Sequence, residues 1–317
     1  KTQDRVIRRE LPLTPGDELN TVLLETSQRR LQNLNYFEGP GEANPLTVRP
    51  VSTEVPGFKD IEVNVTEKPT GTINFGAGFS SIDSIVGFID VTQTNFDISD
   101  WGDFRGAGQR FNMNIRFGPQ RQDFNLNFTE PWFMGQKLAL STELFYRNMF
   151  YLSDRFDQTN AGAAVSLRKP VGDHAYIEGM YTLQSIEIDV DRRRSTTQVL
   201  RDEDGSFTQS KLDFAFVHDT RDDIFITRKG HKFETGLMVS GLGGDAEVWG
   251  AHVGGIQYIT IPGDGIVSFE GMLRHVDAWG SGDVPIFERQ FLGGANNVRG
   301  FDFREAGPKD VSGEPVG

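Results

Sequence analysis

The sequence predicts a small α+β module followed by an antiparallel transmembrane β-barrel, and three observations lead there. From Thr72 onward apolar and polar residues alternate with a period of two, as in Phe111, Met113, Ile115 and Phe117 against Asn112, Asn114 and Arg116. Many alternating segments run to about nine or more residues, beyond the five or six usual in globular strands. Their polar partners, among them Asn125, Asn127, Glu143 and Arg147, form a face that wants water. Connections also alternate: tight turns at Gly118-Pro119-Gln120 and Pro262-Gly263-Asp264-Gly265, long polar excursions at 191–208 and after Gly280. Short turns at one end and long loops at the other is the layout of membrane barrels. A soluble β-sandwich alternates too. Strand length and the polar face decide against it.

Composition agrees with that choice. Hydrophobic residues make up 37% and charged residues 24% of the 317, which would read as soluble globular if periodicity were ignored. No run of about 18 apolar residues exists to form a transmembrane helix, and a barrel needs none because its inner face is polar. The chain holds 36 Gly, and 25 Phe against 6 Tyr and 4 Trp. There is no Cys, which excludes disulfides, thiolate metal sites and Cys nucleophiles. A net charge of −13 argues against nucleic acid, since phosphate neutralisation needs clustered Lys and Arg. Arg192-Arg193-Arg194 is the one basic run, and a hydrophilic loop accounts for it. With no signal-like segment at Lys1 and a Gly/Pro-rich stretch at Gly317, the chain reads as an internal piece of a longer exported protein.

In order along the chain, Asp4 to Leu11 is a short helical candidate, broken by Pro12 and Pro15-Gly16. Asn20 can cap a second helix running to about Phe37, with Leu24, Leu31 and Leu34 on one face. Gly39-Pro40-Gly41 ends it. Two extended candidates follow, Leu46 to Val55 and Lys59 to Thr66. Residues 1–70 are therefore one α+β module and 71–317 the barrel part. Strand patterns then centre on Ile73–Phe79, Phe111–Phe117, Phe124–Phe128, Leu138–Leu144, Ala163–Leu167, Leu212–Phe216, Phe233–Val239 and Val267–Leu273. Noisier patterns near 85–96, 175–190 and 248–261 bring the candidates to eleven.

Several segments carry more than periodicity. They are Leu23 to Leu31, Val63-Asn64-Val65-Thr66-Glu67-Lys68-Pro69-Thr70-Gly71, Thr129-Glu130-Pro131-Trp132-Phe133, and His218-Asp219-Thr220-Arg221-Asp222 with Gly230 downstream. Last comes Phe287 to Gly294 leading into Gly293-Gly294-Ala295-Asn296-Asn297-Val298-Arg299-Gly300-Phe301. On these residues the chain resembles the BamA-type family of outer-membrane β-barrel assembly proteins over essentially its whole length. Residues 1–70 resemble its last POTRA domain. Val298-Arg299-Gly300-Phe301 resembles the signature of its sixth extracellular loop. The segment around Asp219, Arg221, Asp222 and Gly230 resembles a link between mid-barrel strands, departing from it in Ile226-Thr227-Arg228 where Pro-Thr is usual.

The resemblance implies localisation in a bacterial outer membrane with a periplasmic N-terminal domain, and about sixteen strands in the full barrel, so roughly five beyond Gly317. It implies that Arg299 reaches into the barrel and pins the loop on acidic or aromatic side chains; five fixed guanidinium donors suit such a contact. An exposed loop arginine is the plain alternative. It implies that the first barrel strand, Thr72-Ile73-Asn74-Phe75-Gly76-Ala77-Gly78-Phe79-Ser80, closes weakly against the last and opens as a lateral gate for client strands. Implied partners are unfolded outer-membrane proteins, lipoproteins of an assembly complex and outer-membrane lipid, with no nucleic acid. The competing readings are a two-partner-secretion transporter of the same superfamily, a barrel fused to an N-terminal enzyme, and a plain porin, which would leave residues 1–70 unexplained.

Residue patterns for enzyme chemistry are weak. Gly76-Ala77-Gly78 is followed by continued alternation rather than a helix, so it is not a dinucleotide fingerprint. His174, His218, His231, His252 and His275 lack metal-ligand spacing, and His218 reads as a strand-end partner of Asp219. No nucleophile elbow or P-loop occurs, and Asn64-Val65-Thr66 and Asn127-Phe128-Thr129 are idle sequons inside strands. Hence no catalytic residue, cofactor or metal is expected.

Overall fold

The computed structural model describes all residues except 81–83, 151, 192–196, 281 and 295–296. The basic run at 192–194 and two residues of the glycine loop, Ala295 and Asn296, thus lie outside the described residues. Two compact units are present: residues 1–74 with 90–113 and 128–131, and residues 75–89 with 114–127 and 132–317.

In the first unit α1 (Asp4–Arg8) and α2 (Thr21–Asn33) pack with a hairpin of β1 (Thr47–Ser52) and β2 (Lys59–Asn64). Asn20 caps α2 by accepting the Val22 amide at 2.9 Å. The helix stops at Asn33 rather than near Phe37. Asn35 turns left-handed, at φ 60°, and Asn tolerates that conformation better than most residues. Tyr36 and Phe37 are thereby released to the core with Val6, Leu31 and Leu46. The first helix is likewise shorter than expected, yet Leu11 still packs on the same core.

The start of the chain is bonded to the segment 94–108 within this unit. Gln3 donates its side-chain amide to Asp97 (2.6 Å) and its backbone amide to the Gly106 carbonyl (2.8 Å). Asn95 donates to the Thr2 hydroxyl and accepts from the Gly108 amide, at 2.8 and 2.9 Å. The Tyr36 hydroxyl donates to the Thr94 carbonyl at 2.7 Å. Phe96 stacks on Phe104 and Phe111 and meets Phe128 edge-on.

All eleven alternating candidates are strands, and they form one antiparallel sheet. The set is β3 (Gly71–Ser80), β4 (Ser84–Phe96), β5 (Gln109–Phe117), β6 (Arg121–Glu130), β7 (Ala139–Met149), β8 (Phe156–Val171) and β9 (Ala175–Val190). Then come β10 (Gly205–Asp219), β11 (Gly230–Ser240), β12 (Val248–Ile261) and β13 (Gly265–Ala278). Each pairs with its sequence neighbours, and the sheet is not closed: β3 and β13 are its two edges. The excursion expected at 191–208 ends sooner, because β10 begins at Gly205 and pairs Gly205 with Ile188. A short helix, α3 (Gln198–Arg201), lies in that connection.

In the second unit the two faces of the sheet separate cleanly. Phe156, Ile186, Ile188 and Val190 are buried on one face together with Leu200 and Ile286. Intervening side chains such as Leu167, Ile177, Leu183 and Phe214 lie more than 40% exposed on the other. Period two puts these sets on opposite sides. Leu31→Ala should cost the N-terminal unit about 2–5 kcal/mol by cavity formation. Faster protease cleavage within residues 1–70 of the whole protein is the expected readout, and unchanged cleavage would contradict it.

Candidate functional site

Two features stand out, an exposed sheet edge and a docked loop. The edge is β3, whose residues 71–79 are all exposed, with Ile73, Phe75 and Phe79 at 70%, 82% and 80%. Gly76 carries no side chain toward β4, and the Phe88 ring occupies that place; an added Cβ would lie 2.8 Å from it. The strand thus offers an unpaired row of backbone groups and few side chains to hold it.

The loop is 279–317, which follows β13 and lies against the inner face of β8 to β10. Ile286 enters the core formed by Phe156, Ile186, Ile188, Val190 and Leu200. Around that plug the polar contacts cross from loop to wall. Arg289 bonds Glu203 at 2.7 Å, and Gln209 donates to Glu288 at 2.6 Å. Arg155 pairs with Glu314 at 3.1 Å, and Thr197 donates to Asp310. Burial pushes the Glu203 carboxyl up, against the opposing pull of the Ile286 amide and of Arg289. Asp310 is the reverse case. Burial acts to raise it, but hydrogen bonds from Ser312, Thr197 and the Glu314 and Ser312 amides outweigh that and bring it to about 2.

Arg304 is the most deeply engaged cation of the loop. It is 8% exposed, with its guanidinium 3.5 Å from the Phe291 ring centroid and 5.6 Å from that of Phe156. Its backbone is left-handed, φ 67°, at a cost of roughly 1–2 kcal/mol for a residue with a Cβ. A desolvated cation–π contact of about 2 kcal/mol is the right size to offset it.

The signature residues lie in the middle of this loop, between the Arg289 and Arg304 anchors. Gly293 closes the turn: its φ is 119° and an added Cβ would lie 2.3 Å from the Asp302 carbonyl. The Gly293 amide donates to Asn297 Oδ1 at 2.7 Å and the Gly294 amide to the Phe301 carbonyl at 3.0 Å. Arg299, Gly300 and Phe301 are exposed and Val298 is half-buried. The anchoring contacts on Ile286, Arg289 and Arg304 were not anticipated from the sequence. The wall partners lie some 80 or more residues upstream, Glu203 for Arg289 and Phe156 for Arg304, while Phe291 beneath Arg304 belongs to the loop itself. Arg289 did fall inside a motif-bearing segment, Phe287 to Gly294, which was a usable signal.

The turn between β10 and β11 uses Asp219, Arg221, Asp222 and Gly230 structurally. Arg221 clasps Asp219 with two bonds, 2.9 and 2.7 Å. Asp222 accepts the Arg228 and Lys229 amides, which hold its carboxyl below the usual range. Gly230, at φ 103°, leaves no room for a Cβ beside the Thr220 carbonyl (2.3 Å). His218 does not pair with Asp219 as expected. It stacks on His231 with 2.9 Å between ring nitrogens, because both lie on the outer face while Asp219 points inward. No cluster of three or more potential metal ligands exists among the described residues.

A long-stranded antiparallel meander with an inward-docked loop, an apolar outer face and an N-terminal α+β module defines the class of outer-membrane β-barrels with a periplasmic N-terminal domain. Comparison with known proteins specifies it further. The Omp85 superfamily domain matches residues 103–317, and a POTRA profile, described as a surface antigen variable number repeat, matches residues 1–68. The chain belongs to the Omp85 superfamily. It is 25% identical over 321 residues to the outer membrane protein assembly factor BamA of Nitratidesulfovibrio vulgaris, covering 100% of this chain and 38% of that protein. The crystal structure of BamA from Haemophilus ducreyi lacking POTRA domains 1–3 superposes with a TM-score of 0.79 at 20% identity, over 97% of this chain and 59% of that one. CdiB from Acinetobacter baumannii gives 0.55 at 15% identity, over 95% and 55%. The chain thus spans well under half the length of the curated relative just described.

Arg304→Ala should loosen the docked loop by about 2 kcal/mol, seen as new protease cleavage within 284–317 on intact cells, with Arg304→Lys intermediate. Protection equal to the parent protein would contradict the anchor. Asp310 has a depressed folded-state value, so its contribution is present above the unfolded value of 3.8 and is lost as pH falls toward about 2. Loop protection should therefore hold at pH 5 and decline between those two values. Asp310→Asn should remove that dependence.

Proposed function

We propose that this chain is the last periplasmic domain and the first eleven strands of a protein that folds and inserts β-barrel proteins into the bacterial outer membrane. The single observation that carries the reading is the exposed, glycine-interrupted edge strand β3, which directly follows the N-terminal module and pairs on one side only, with β4. An unsaturated edge is a template onto which a client strand adds by backbone pairing. In this reading Thr72 to Ser80 is the gate strand, closing weakly against the last strand of the complete barrel. Residues 1–70 form the periplasmic module and 71–317 the barrel part. Clients are unfolded outer-membrane proteins, delivered with the help of lipoproteins of an assembly complex, and no step needs a catalytic residue or cofactor.

Val298, Arg299, Gly300 and Phe301 then act as a loop lock, with Arg299 turned toward strands that complete the barrel. Asp219, Arg221, Asp222 and Gly230 keep the β10–β11 connection tight. The assembly reading is favoured over polypeptide secretion by the closer fit to the Haemophilus ducreyi BamA fold than to CdiB. Relatives named as assembly factors, such as that of Nitratidesulfovibrio vulgaris, support it as well.

Joining Phe75→Cys by a disulfide to a Cys in the final strand of the full-length protein should block client insertion, with recovery on reduction. Undiminished insertion in the locked form would sink the gate.

A further inference from the structure

The outer face of the sheet carries a groove that neither the loop nor the edge strand uses. Register places Leu167, Gly179, Phe214 and Leu237 side by side across β8 to β11. Three of the four are large apolar side chains, exposed by 43%, 59% and 60% for Leu167, Phe214 and Leu237. The fourth position has no side chain. The gap at Gly179 is the floor of a trough of about 600 Å³, walled by Leu167, Phe214 and Leu237 and continued by Ile177 in the next row.

Lys169 lines the same trough, paired in register with Ile177 and two residues from the end of β8. It is exposed and makes no ion pair among the described residues. The nearest carboxylate in the register, Glu178, is already held by Arg168 at 2.9 Å. A cation at the mouth of an apolar trough on a membrane-facing wall matches a lipid in charge as well as in shape.

We propose that this groove binds one phospholipid of the periplasmic leaflet, an acyl chain lying over Gly179 and the headgroup phosphate on Lys169. Turn length assigns the leaflet: β8 and β9 are joined by the short turn 172–174, and in outer-membrane barrels the short turns face the periplasm. An anionic phosphate is the group that an exposed ammonium recognises, and a slot one side chain wide admits a flexible alkyl chain but not a client strand, which would need a free edge. The inference rests on the outer-membrane placement and adds a ligand that client assembly does not require.

The test uses the full-length protein in nanodiscs of phosphatidylethanolamine and phosphatidylglycerol, with retained lipid read by native mass spectrometry. The parent should keep one phosphatidylglycerol through gentle activation. Lys169→Glu should keep roughly fivefold less, the scale of one Lys–headgroup attraction. Gly179→Leu should also lose it by filling the trough; its Cβ would meet the Phe214 ring at an ordinary 3.5 Å, so the strand accepts it. Equal retention in Lys169→Glu and the parent overturns the proposal. So does displacement of the lipid by lipopolysaccharide or detergent at equal concentration. Heat-modifiable gel mobility is followed in parallel: its loss reports a failed barrel, whereas lipid loss with mobility intact reports the groove.

Discussion

Inside hydrocarbon an unpaired backbone amide or carbonyl costs several kcal/mol, so a chain that crosses as strands must pair each strand on both sides. Everything else here follows from that constraint. From β7 to β13 every strand meets its neighbour in unbroken antiparallel register, for example sixteen residue pairs between β8 and β9. Once pairing fixes the strands, period two assigns each side chain a face. The outer face becomes apolar, and the inner face is free to hold charge, which is where the loop finds its partners.

The loop is held by an arrangement in which an apolar contact makes polar ones worthwhile. Ile286 seals against Ile186, Ile188 and Phe156, and the Arg289–Glu203 and Arg155–Glu314 pairs lie beside that seal at low exposure. Ion pairs in open water contribute little; sheltered ones with added hydrogen bonds contribute more, provided no partner is left behind. The left-handed Arg304 shows how far the loop is bent to reach the wall.

The strands were legible because alternation is repeated in almost every one, and even the noisier β4, β9 and β12 were located within a residue or so. The helix end at Asn33 was not, since Asn35, Tyr36 and Phe37 continue a plausible helical pattern and only the core's demand for both aromatics breaks it. The loop anchors were less legible still. Glycines made Arg299 conspicuous, but glycine records where the backbone must turn, and here the turn leaves Arg299 exposed. Arg304 and Glu203 lie in polar stretches where a charged residue is unremarkable. Glu203 is held by Arg289, and Arg304 lies against Phe156 as well as the nearby Phe291, pairings across the sequence that no local pattern encodes.

The bonds from Thr2, Gln3 and Tyr36 to residues 94–106 bear on mechanics. They seat the module on the hairpin of β4 and β5, while β3 is joined to the module through the short tether after Thr66. Traction applied to the module is therefore carried by the second and third strands of the sheet.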